Sequence, residues 1–473
     1  MKAINPRTGE ADYDFHAHSA GEIASEAARL RAMQPEWEAR GVDYRASMLN
    51  KFADAVERHA DAIASALAVD TGRRTIARVE VEGMVRNCRA RAARAVQLFA
   101  ELPHEATPAA TPGIEIAARF SAYPLFGAIA PWNFPMLLTH TDAVSALAVG
   151  SAALLKPSEV TPRFVEPLRE ALAEVSELPI AYIMGGAETG QALVENVDYV
   201  CFTGSTATGR KVAEAAARAL IPANLELGGK DPLIITASAD PEWAAKIALR
   251  SSMISTGQAC QSIERVYVAR EISEPFLATL VEQANLVELN YPDIGKGHIG
   301  PFIFPPQAAK VAEQVAAAFQ AGAKVLTGGE VEVLGGGSYM RPTILTDVTP
   351  DMAVMREETF GPVLAVVVFD DIEDAIAQAN DTSYGLSAGV LAGSLEEAAA
   401  IGERLDAGAI SLQDGGLTTV TTEATNHSRK TSGLGPSRMG DEGILRFLRR
   451  QALIRQTSQA AGIEVFAEHA ANG

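Results

Sequence analysis

Apolar residues recur along this chain with more than one spacing. Between Gly21 and Leu102 they fall at helical intervals in an Ala- and Arg-rich background. Met48, Phe52, Ala55 and Val56 occupy i, i+4, i+7 and i+8, one face of a helix. The run Pro103–Pro112, rich in Pro, Thr and Ala, breaks that pattern. Gly113–Tyr123 then alternates in strand fashion and predicts an arm or edge ribbon. From Phe126 onward short apolar runs take turns with helical ones. Ala152–Lys156, Tyr199–Phe202, Pro232–Thr236, Val266–Val268 and Leu364–Phe369 read as buried strands. Pro162–Val175, Gly209–Leu220, Trp243–Ser255 and Asp374–Ala379 read as helices. That alternation predicts an α/β fold with parallel, doubly wound sheets and a lobe boundary near Gly228-Gly229. The Gly-rich Val333–Gly337 reads as an exposed loop.

Composition narrows the picture. A chain of 473 residues exceeds one ordinary core and suggests two or three lobes. With 48% hydrophobic and 21% charged residues it can bury a large interior, which excludes global disorder. A net charge of −19 argues against nucleic acid or an anionic membrane as partner. The opening MKAINPRTGE has no apolar core, so no signal peptide is predicted. The most apolar stretch, Tyr123–Leu155, is interrupted by Pro131, Asn133, Pro135, His140 and Asp142. It falls short of the ~20 consecutive apolar residues of a membrane helix. Three cysteines, Cys88, Cys201 and Cys260, make no disulfide framework and suit a reducing, cytoplasmic setting. The histidines are scattered without an H-x-x-x-H pair, so no metal site is predicted.

Several short segments have chemistry-bearing residues. Phe202-Thr-Gly-Ser-Thr-Ala-Thr-Gly209 joins a predicted strand to a predicted helix. It reads equally as a phosphate-approaching loop and as a tight turn with a Ser/Thr helix cap. Cys260, in Gly257-Gln-Ala-Cys260, has small and polar neighbours that suggest a turn where a thiolate is exposed and stabilised. Cys201 sits in an apolar run and reads as inert core. Glu226 is flanked by leucines and followed by two glycines, an apolar setting that suits a general base, although a surface glutamate is the plainer alternative. Asn133, between prolines in Trp132-Asn-Phe-Pro135, offers an amide N–H to an oxyanion or serves as a turn residue. Lys156, at the end of an apolar strand, meets a ribose or phosphate or leaves the sheet edge.

Taken together, the segments resemble the aldehyde dehydrogenase superfamily in its non-acylating, NAD(P)-dependent form. The matching motifs are Pro131-Trp-Asn-Phe-Pro135, Leu155-Lys-Pro-Ser-Glu159, Phe202-Thr-Gly-Ser205, Leu225-Glu-Leu-Gly-Gly-Lys230, Gly257-Gln-Ala-Cys260 and Glu358-Thr-Phe-Gly-Pro362, in order and at the family's spacing. Ile4-Asn-Pro-Arg-Thr-Gly9 and Tyr384-Gly-Leu386 fit as well. The resemblance implies two Rossmann-like lobes and a bridging β oligomerisation arm. Residues 1–105 and 124–228 would form the NAD-binding lobe, and 229–445 the catalytic lobe. Residues 106–123 and 446–473 would form the arm and tail. It implies Cys260 as nucleophile, Asn133 and the Cys260 N–H as oxyanion donors, and Glu226 as the base that activates water. Trp132, Lys156, Glu159, Gly204, Ser205, Gly209, Glu358 and Phe360 would contact NAD, with NADP less favoured because Glu159 would meet a 2′-phosphate. The implied partner is a small aldehyde, and the implied assembly a homodimer or homotetramer.

Two rival readings remain in view. An acylating enzyme would pass the acyl group to coenzyme A, which needs no water-activating base at Glu226. A silent NAD-binding relative would have lost the nucleophile or the base, and both are present. The chain departs from the family at Gln413, where many members have Asn, and across Ala424–Lys430, where many have Pro-Phe-Gly-Gly. The resemblance puts both regions near the aldehyde entrance.

Overall fold

The computed structural model describes residues 1–103 and 105–468. His104, inside the expected breaker, and 469–473, at the end of the expected tail, lie outside the described residues. The chain opens with a short antiparallel pair, β1 (Lys2–Ala3) and β2 (Tyr13–Asp14). Four helices follow: α1 (Ala20–Ala39), α2 (Val42–Arg58), α3 (Ala60–Thr71) and α4 (Arg74–Glu101). Ser19 and Glu22 start α1 with a reciprocal capping box. Met48, Phe52, Ala55 and Val56 are all buried on one face of α2, which packs on α4 and on α5 (Pro135–Val149).

After α4 comes a three-stranded sheet. Its strands are β3 (Thr107–Pro108), β4 (Ile114–Ala122) and β22 (Leu448–Gln456), in the order β22-β4-β3. The ribbon expected at an edge is thus the middle strand. All of β4 pairs with β22, from Ala122↔Leu448 to Ile114↔Gln456, and β22 is the exposed edge.

A six-stranded sheet holds β5 (Leu125–Ile129), β6 (Ala152–Lys156), β7 (Ile180–Tyr182), β8 (Tyr199–Thr203), β9 (Ala223–Glu226) and β21 (Gly433–Leu434). Its order is β21-β9-β8-β5-β6-β7, parallel except for β21. Alternate side chains face opposite ways. Phe126, Leu155 and Tyr199 meet α2, α4, α5 and α6 (Val165–Ala173). Leu125, Leu154 and Phe202 meet α1, α7 (Ala187–Val194) and α8 (Thr206–Ala219). This is double winding. The chain runs outward from β5 to β7, then returns to the other side of β5 at β8. The crevice at the carboxyl ends of β5 and β8 is therefore a topological switch point.

The second sheet begins five residues after β9 ends, with β10 (Asp231–Ile235), and continues through β11 (Ile263–Ala269), β12 (Lys324–Thr327), β15 (Thr343–Thr346), β16 (Val363–Phe369), β18 (Ser387–Leu391) and β19 (Ala409–Leu412). Its order is β12-β15-β16-β11-β10-β18-β19, with β12 alone antiparallel. One face is covered by α9 (Pro241–Ser252) and α10 (Arg270–Asn285). The other face carries α11 (Pro305–Gln320), α12 (Ala353–Arg356), α13 (Ile372–Asn380) and α14 (Leu395–Gly402). Two short pairs complete the molecule: β13 (Val331–Leu334) with β14 (Gly337–Met340), and β17 (Tyr384–Gly385) with β20 (Arg429–Lys430). Val333–Gly337, expected as a loop, is thus a hairpin. Gly335 and Gly336 turn it at φ 61° and 96°, the left-handed geometry such a two-residue turn requires. Among the described residues no helix is long and apolar enough to cross a membrane.

Candidate active site

A cleft of about 720 Å³ opens at the switch point. Ile129 at the end of β5 and Phe202 and Thr203 at the end of β8 line it, and so does Cys260 from the turn before β11. Asn133, Glu226, Trp132, Lys156, Glu159, Gly204, Ser205, Glu358 and Phe360 line the same cleft, although they span more than two hundred positions of chain. Gly209 does not. It lies buried one turn into α8, where an added Cβ would fall 2.5 Å from the Leu227 side chain. Its smallness allows α8 to approach the segment after β9.

The half-buried Cys260 follows an unusual backbone. Ser255, Thr256 and Gly257 all have positive φ, at 56°, 62° and 68°. Two consecutive non-glycine residues in the left-handed region mark strain of the kind found at functional sites. Thr256 anchors this turn by donating to the Gly300 carbonyl and accepting the Gly300 N–H. An added Cβ at Gly229 would meet the Cys260 carbonyl oxygen at 2.6 Å, so the double glycine after Glu226 admits the cysteine backbone. The expected half-exposed turn is present, but the surroundings of the sulfur favour the protonated thiol. Burial, together with Glu358, Asp231 and Glu226, pushes the Cys260 thiol up to about 12, against the opposing pull of Arg438. Sequence spacing gave no sign that three carboxylates converge on the sulfur. Cys201, in the core of β8, is also pushed well above its ordinary value, first by burial, which fits its reading as inert.

Asn133 sits in the loop between β5 and α5 and is buried. Its amide donates to the Gln258 carbonyl at 2.9 Å. Among the described residues its second amide N–H and the Cys260 backbone N–H have no acceptor. Buried Arg73 donates to the Asn133 carbonyl at 2.6 Å. Buried Glu80 accepts from the Met136 and Leu137 N–H groups at 3.1 and 3.2 Å, capping α5. At the floor, Arg438 donates to Thr203 and to Asp142 of α5 at 2.8 and 2.7 Å. Burial alone would raise the Asp142 carboxyl, but Arg438 and Arg446 hold it down at about 2.

The opposite wall carries the Glu358-Thr-Phe360 segment. The Glu358 carboxylate accepts the Gly229 N–H at 3.2 Å, and burial with Glu264 nearby pushes its carboxyl up to about 7. Glu264, ion-paired with Lys230, accepts the Thr359 and Phe360 N–H groups. Gln307 and Lys310 of α11 clamp the Thr359 and Glu358 carbonyls at 2.6 and 3.0 Å. Phe360 meets the Trp132 ring edge-on at 5.4 Å, and Phe304 packs tilted against the same ring at 6.0 Å.

The features along the rest of the cleft fit a dinucleotide. The N-terminus of the 14-residue α8 opens onto it, capped by Ser205, whose hydroxyl accepts the Thr208 N–H. A helix start offers N–H groups to a diphosphate. The buried Lys156 ammonium pairs with half-exposed Glu159 at 3.0 Å, placing a cation and an acid side by side for a ribose. Sequence reasoning missed Arg73, Glu80, Phe304, Gln307 and Lys310. It also missed the α8 face Thr208, Lys211, Val212, Ala215 and Arg218, whose helical spacing was the one available signal. Gln413, in a region the resemblance puts near the aldehyde entrance, ties its amide to the Ala392 backbone N–H and carbonyl at 3.0 and 2.9 Å.

Comparisons agree with this geometry. Residues 1–453 match the Aldehyde dehydrogenase family. A Mycolicibacterium smegmatis protein provisionally named as an NADP(+) succinate-semialdehyde dehydrogenase is 38% identical over 443 residues, 92% of this chain and 84% of that one. Betaine aldehyde dehydrogenase 1 of Rhizobium meliloti is 35% identical over 427 residues, 87% of this chain and 85% of that one. Among solved structures, a provisionally named aldehyde dehydrogenase from Anabaena variabilis has a TM-score of 0.95 at 42% identity, over 98% of this chain and 99% of that one. Lactaldehyde dehydrogenase from Escherichia coli has a TM-score of 0.91 at 31% identity, over 96% and 95%. The chain belongs to the aldehyde dehydrogenase family and oxidises an aldehyde to a carboxylic acid, with a nicotinamide dinucleotide as electron acceptor.

Proposed function

We propose that Cys260 is the nucleophile, Asn133 the oxyanion donor and Glu226 the base. The Cys260 thiol gives its proton to water, and the sulfur adds to the aldehyde carbonyl carbon. The resulting oxyanion is held by the free Asn133 amide N–H and the Cys260 N–H. The C–H electron pair then leaves as hydride while the oxyanion collapses to a carbonyl, which makes a thioester on Cys260. When bound, the oxidised nicotinamide supplies the hydride acceptor, and its positive charge opposes the carboxylates that hold the thiol protonated. Water adds to the thioester carbon as Glu226 takes its proton. The C–S bond breaks, sulfur leaves as thiolate and the acid is released. The carrying observation is that the sulfur, two unengaged N–H donors and the Glu226 carboxylate share one cleft. An aldehyde panel with and without coenzyme A tests it: hydrolytic product without coenzyme A is expected, and acyl-coenzyme A as the sole product would overturn it.

The preferred cofactor in this reading is NAD. Glu159 suits the ribose hydroxyls, and a 2′-phosphate beside it would meet like charge. NADP as the working cofactor is favoured by a different observation: Lys156 partly neutralises Glu159, and Lys211 and Arg218 line the same cleft. The names of the mycobacterial relatives point the same way. Comparing kcat/KM for the two cofactors decides. A several-fold preference for NAD is expected, and equality or the reverse favours NADP.

The same reading assigns Trp132, Gly204, Ser205, Glu358 and Phe360 to the cofactor, 1–105 with 124–228 to its lobe, and 229–445 to catalysis, apart from β21, which belongs to the cofactor lobe's sheet. It takes the protein as cytoplasmic, in keeping with three free cysteines. The unpaired edge of β22, with Ile454 70% exposed, supports an arm that joins copies in a homodimer or homotetramer. Light scattering at micromolar concentration should give a multiple of 49.9 kDa, and a monomer mass would refute the arm's role.

A further inference from the structure

The strap Ala424–Lys430, where this chain departs from the family pattern, delivers one side chain to Glu226. The Ser428 hydroxyl donates to Glu226 Oε2 at 3.0 Å. Among the described residues it is the only side chain hydrogen-bonded to that carboxylate. Glu226 acts electrostatically on Cys260, Cys201 and Arg438, and none of the three gives it a hydrogen bond. The approach depends on the backbone around it. β20 fixes the end of the strap by pairing with β17, Arg429 opposite Gly385 and Lys430 opposite Tyr384. Under the strap lies Gly408, where an added Cβ would fall 2.3 Å from the His427 carbonyl oxygen. Gly433 of β21 stands opposite Glu226 in the ladder to β9, and a Cβ there would fall 2.6 Å from Ser428 Cβ. The Leu227 N–H closes the unit by donating to the Ser432 carbonyl at 2.8 Å. Two glycines therefore clear the path along which Ser428 reaches the acid, and both ends of that path are anchored.

We propose that Ser428 is the positioning residue for Glu226. It holds Oε2 and thereby fixes the orientation of the carboxylate, leaving Oε1 to take the proton of the hydrolytic water. This rests on Glu226 being the base. The hydroxyl acts in thioester hydrolysis and not in hydride transfer, because nothing it touches reaches the oxyanion donors.

Rapid-mixing kinetics of the full-length enzyme with NAD and one good aldehyde tests it, using S428A, E226Q and the double variant. S428A is expected to give a full burst of reduced cofactor at the wild-type rate, then steady turnover slower by roughly tenfold, the scale of a lost hydrogen bond to a charged group. In the E226Q background S428A should slow hydrolysis no further, since the two act as one unit. If S428A hydrolyses at the wild-type rate while E226Q stalls after its burst, the positioning role is wrong and the base stands. If E226Q hydrolyses normally, the base assignment fails and this proposal with it. If S428A slows E226Q by the same tenfold, Ser428 acts on some other group and the proposal is overturned.

Discussion

Asn133 and Glu226 line one cleft and are held in opposite ways. The Asn133 loop is anchored from the interior: Arg73 grips its carbonyl, Glu80 caps the helix it leads into, and Gln258 takes one amide N–H. Arg73, Glu80 and Gln258 are all buried. Glu226 ends a strand half-exposed, and the side chain that holds it comes from the half-exposed Ser428. The difference follows from the proposed roles. An oxyanion donor helps only if it already points where charge will develop, so mobility there is a direct loss. A base must take a proton from water and later release it, which needs contact with solvent and some freedom. One wall of the cleft is built for rigidity and the other for exchange.

Removing the atom on which both walls converge should have the largest effect. Cys260→Ser is expected to reduce turnover to background while cofactor binding stays within a few fold, because an alcohol with no strong base beside it is a far poorer nucleophile. Fluorescence titration of cofactor and a rate assay on the same sample check both halves. Substantial turnover by the variant would dissolve the comparison. Next comes the rigid wall. Asn133→Ala should lower kcat/KM by about 10²–10³-fold and should slow the burst itself, unlike changes at Glu226. An unchanged burst rate would show that the oxyanion is held elsewhere.

The anchor behind that wall should matter less for rate and more for stability. Arg73→Met leaves the Asn133 side chain in place but removes the donor to its carbonyl and the charge facing buried Glu80. Burial already pushes the Glu80 carboxyl up to about 7 with Arg73 opposing. Loss of a hydrogen bond from a buried charged donor typically costs about 1.5–3 kcal/mol. A lower thermal midpoint and a kcat reduced by about tenfold at near-constant KM are therefore expected. A stable variant with wild-type kcat would mean that the loop is rigid without the Arg73 hydrogen bond.

These anchors show where the sequence stops being readable. Asn133, Glu226 and Cys260 stand in short motifs whose neighbours constrain them locally, but of the strands next to them only β11 is read from its apolar run; β5 and β9 are not. Arg73 is 60 residues from Asn133, and Ser428 is 202 residues from Glu226. Such contacts are decided by the winding of the sheets, and no local pattern encodes them. The 331–340 hairpin was misread because glycines that make a tight turn look the same, in composition, as glycines in an open loop. The thiolate was misread for a related reason. Small polar neighbours describe the turn around Cys260, while Glu358 and Asp231, 98 positions later and 29 earlier, set its charge environment.

That charge environment yields the finest test, on the Glu358 side of the sulfur where both walls converge. Burial raises the Cys260 thiol most and Glu358 next. Glu358 titrates in turn, with its carboxyl at about 7. Below that pH it is largely protonated and does not repel a thiolate. Above it the carboxylate forms and the repulsion appears. Alkylation by iodoacetamide reads the thiolate fraction. For an isolated thiol at about 12 the rate should climb tenfold per pH unit across the accessible range. Here the climb should flatten between about pH 6 and 8, because each step that favours the thiolate also charges its neighbour, so the two groups titrate as a coupled pair. Glu358→Gln keeps an acceptor for the Gly229 N–H and removes the charge. Its rate should match wild type at pH 5.5, follow an uninterrupted tenfold slope, and exceed wild type severalfold at pH 8.5. Cofactor-free enzyme is the right sample, with labelling followed by mass spectrometry at each cysteine. Cys88 and Cys201 are buried and serve as internal controls. Parallel profiles with no divergence above pH 7 would show that Glu358 does not act on the sulfur, and the wall that carries it would then have to be understood as a cofactor clamp alone.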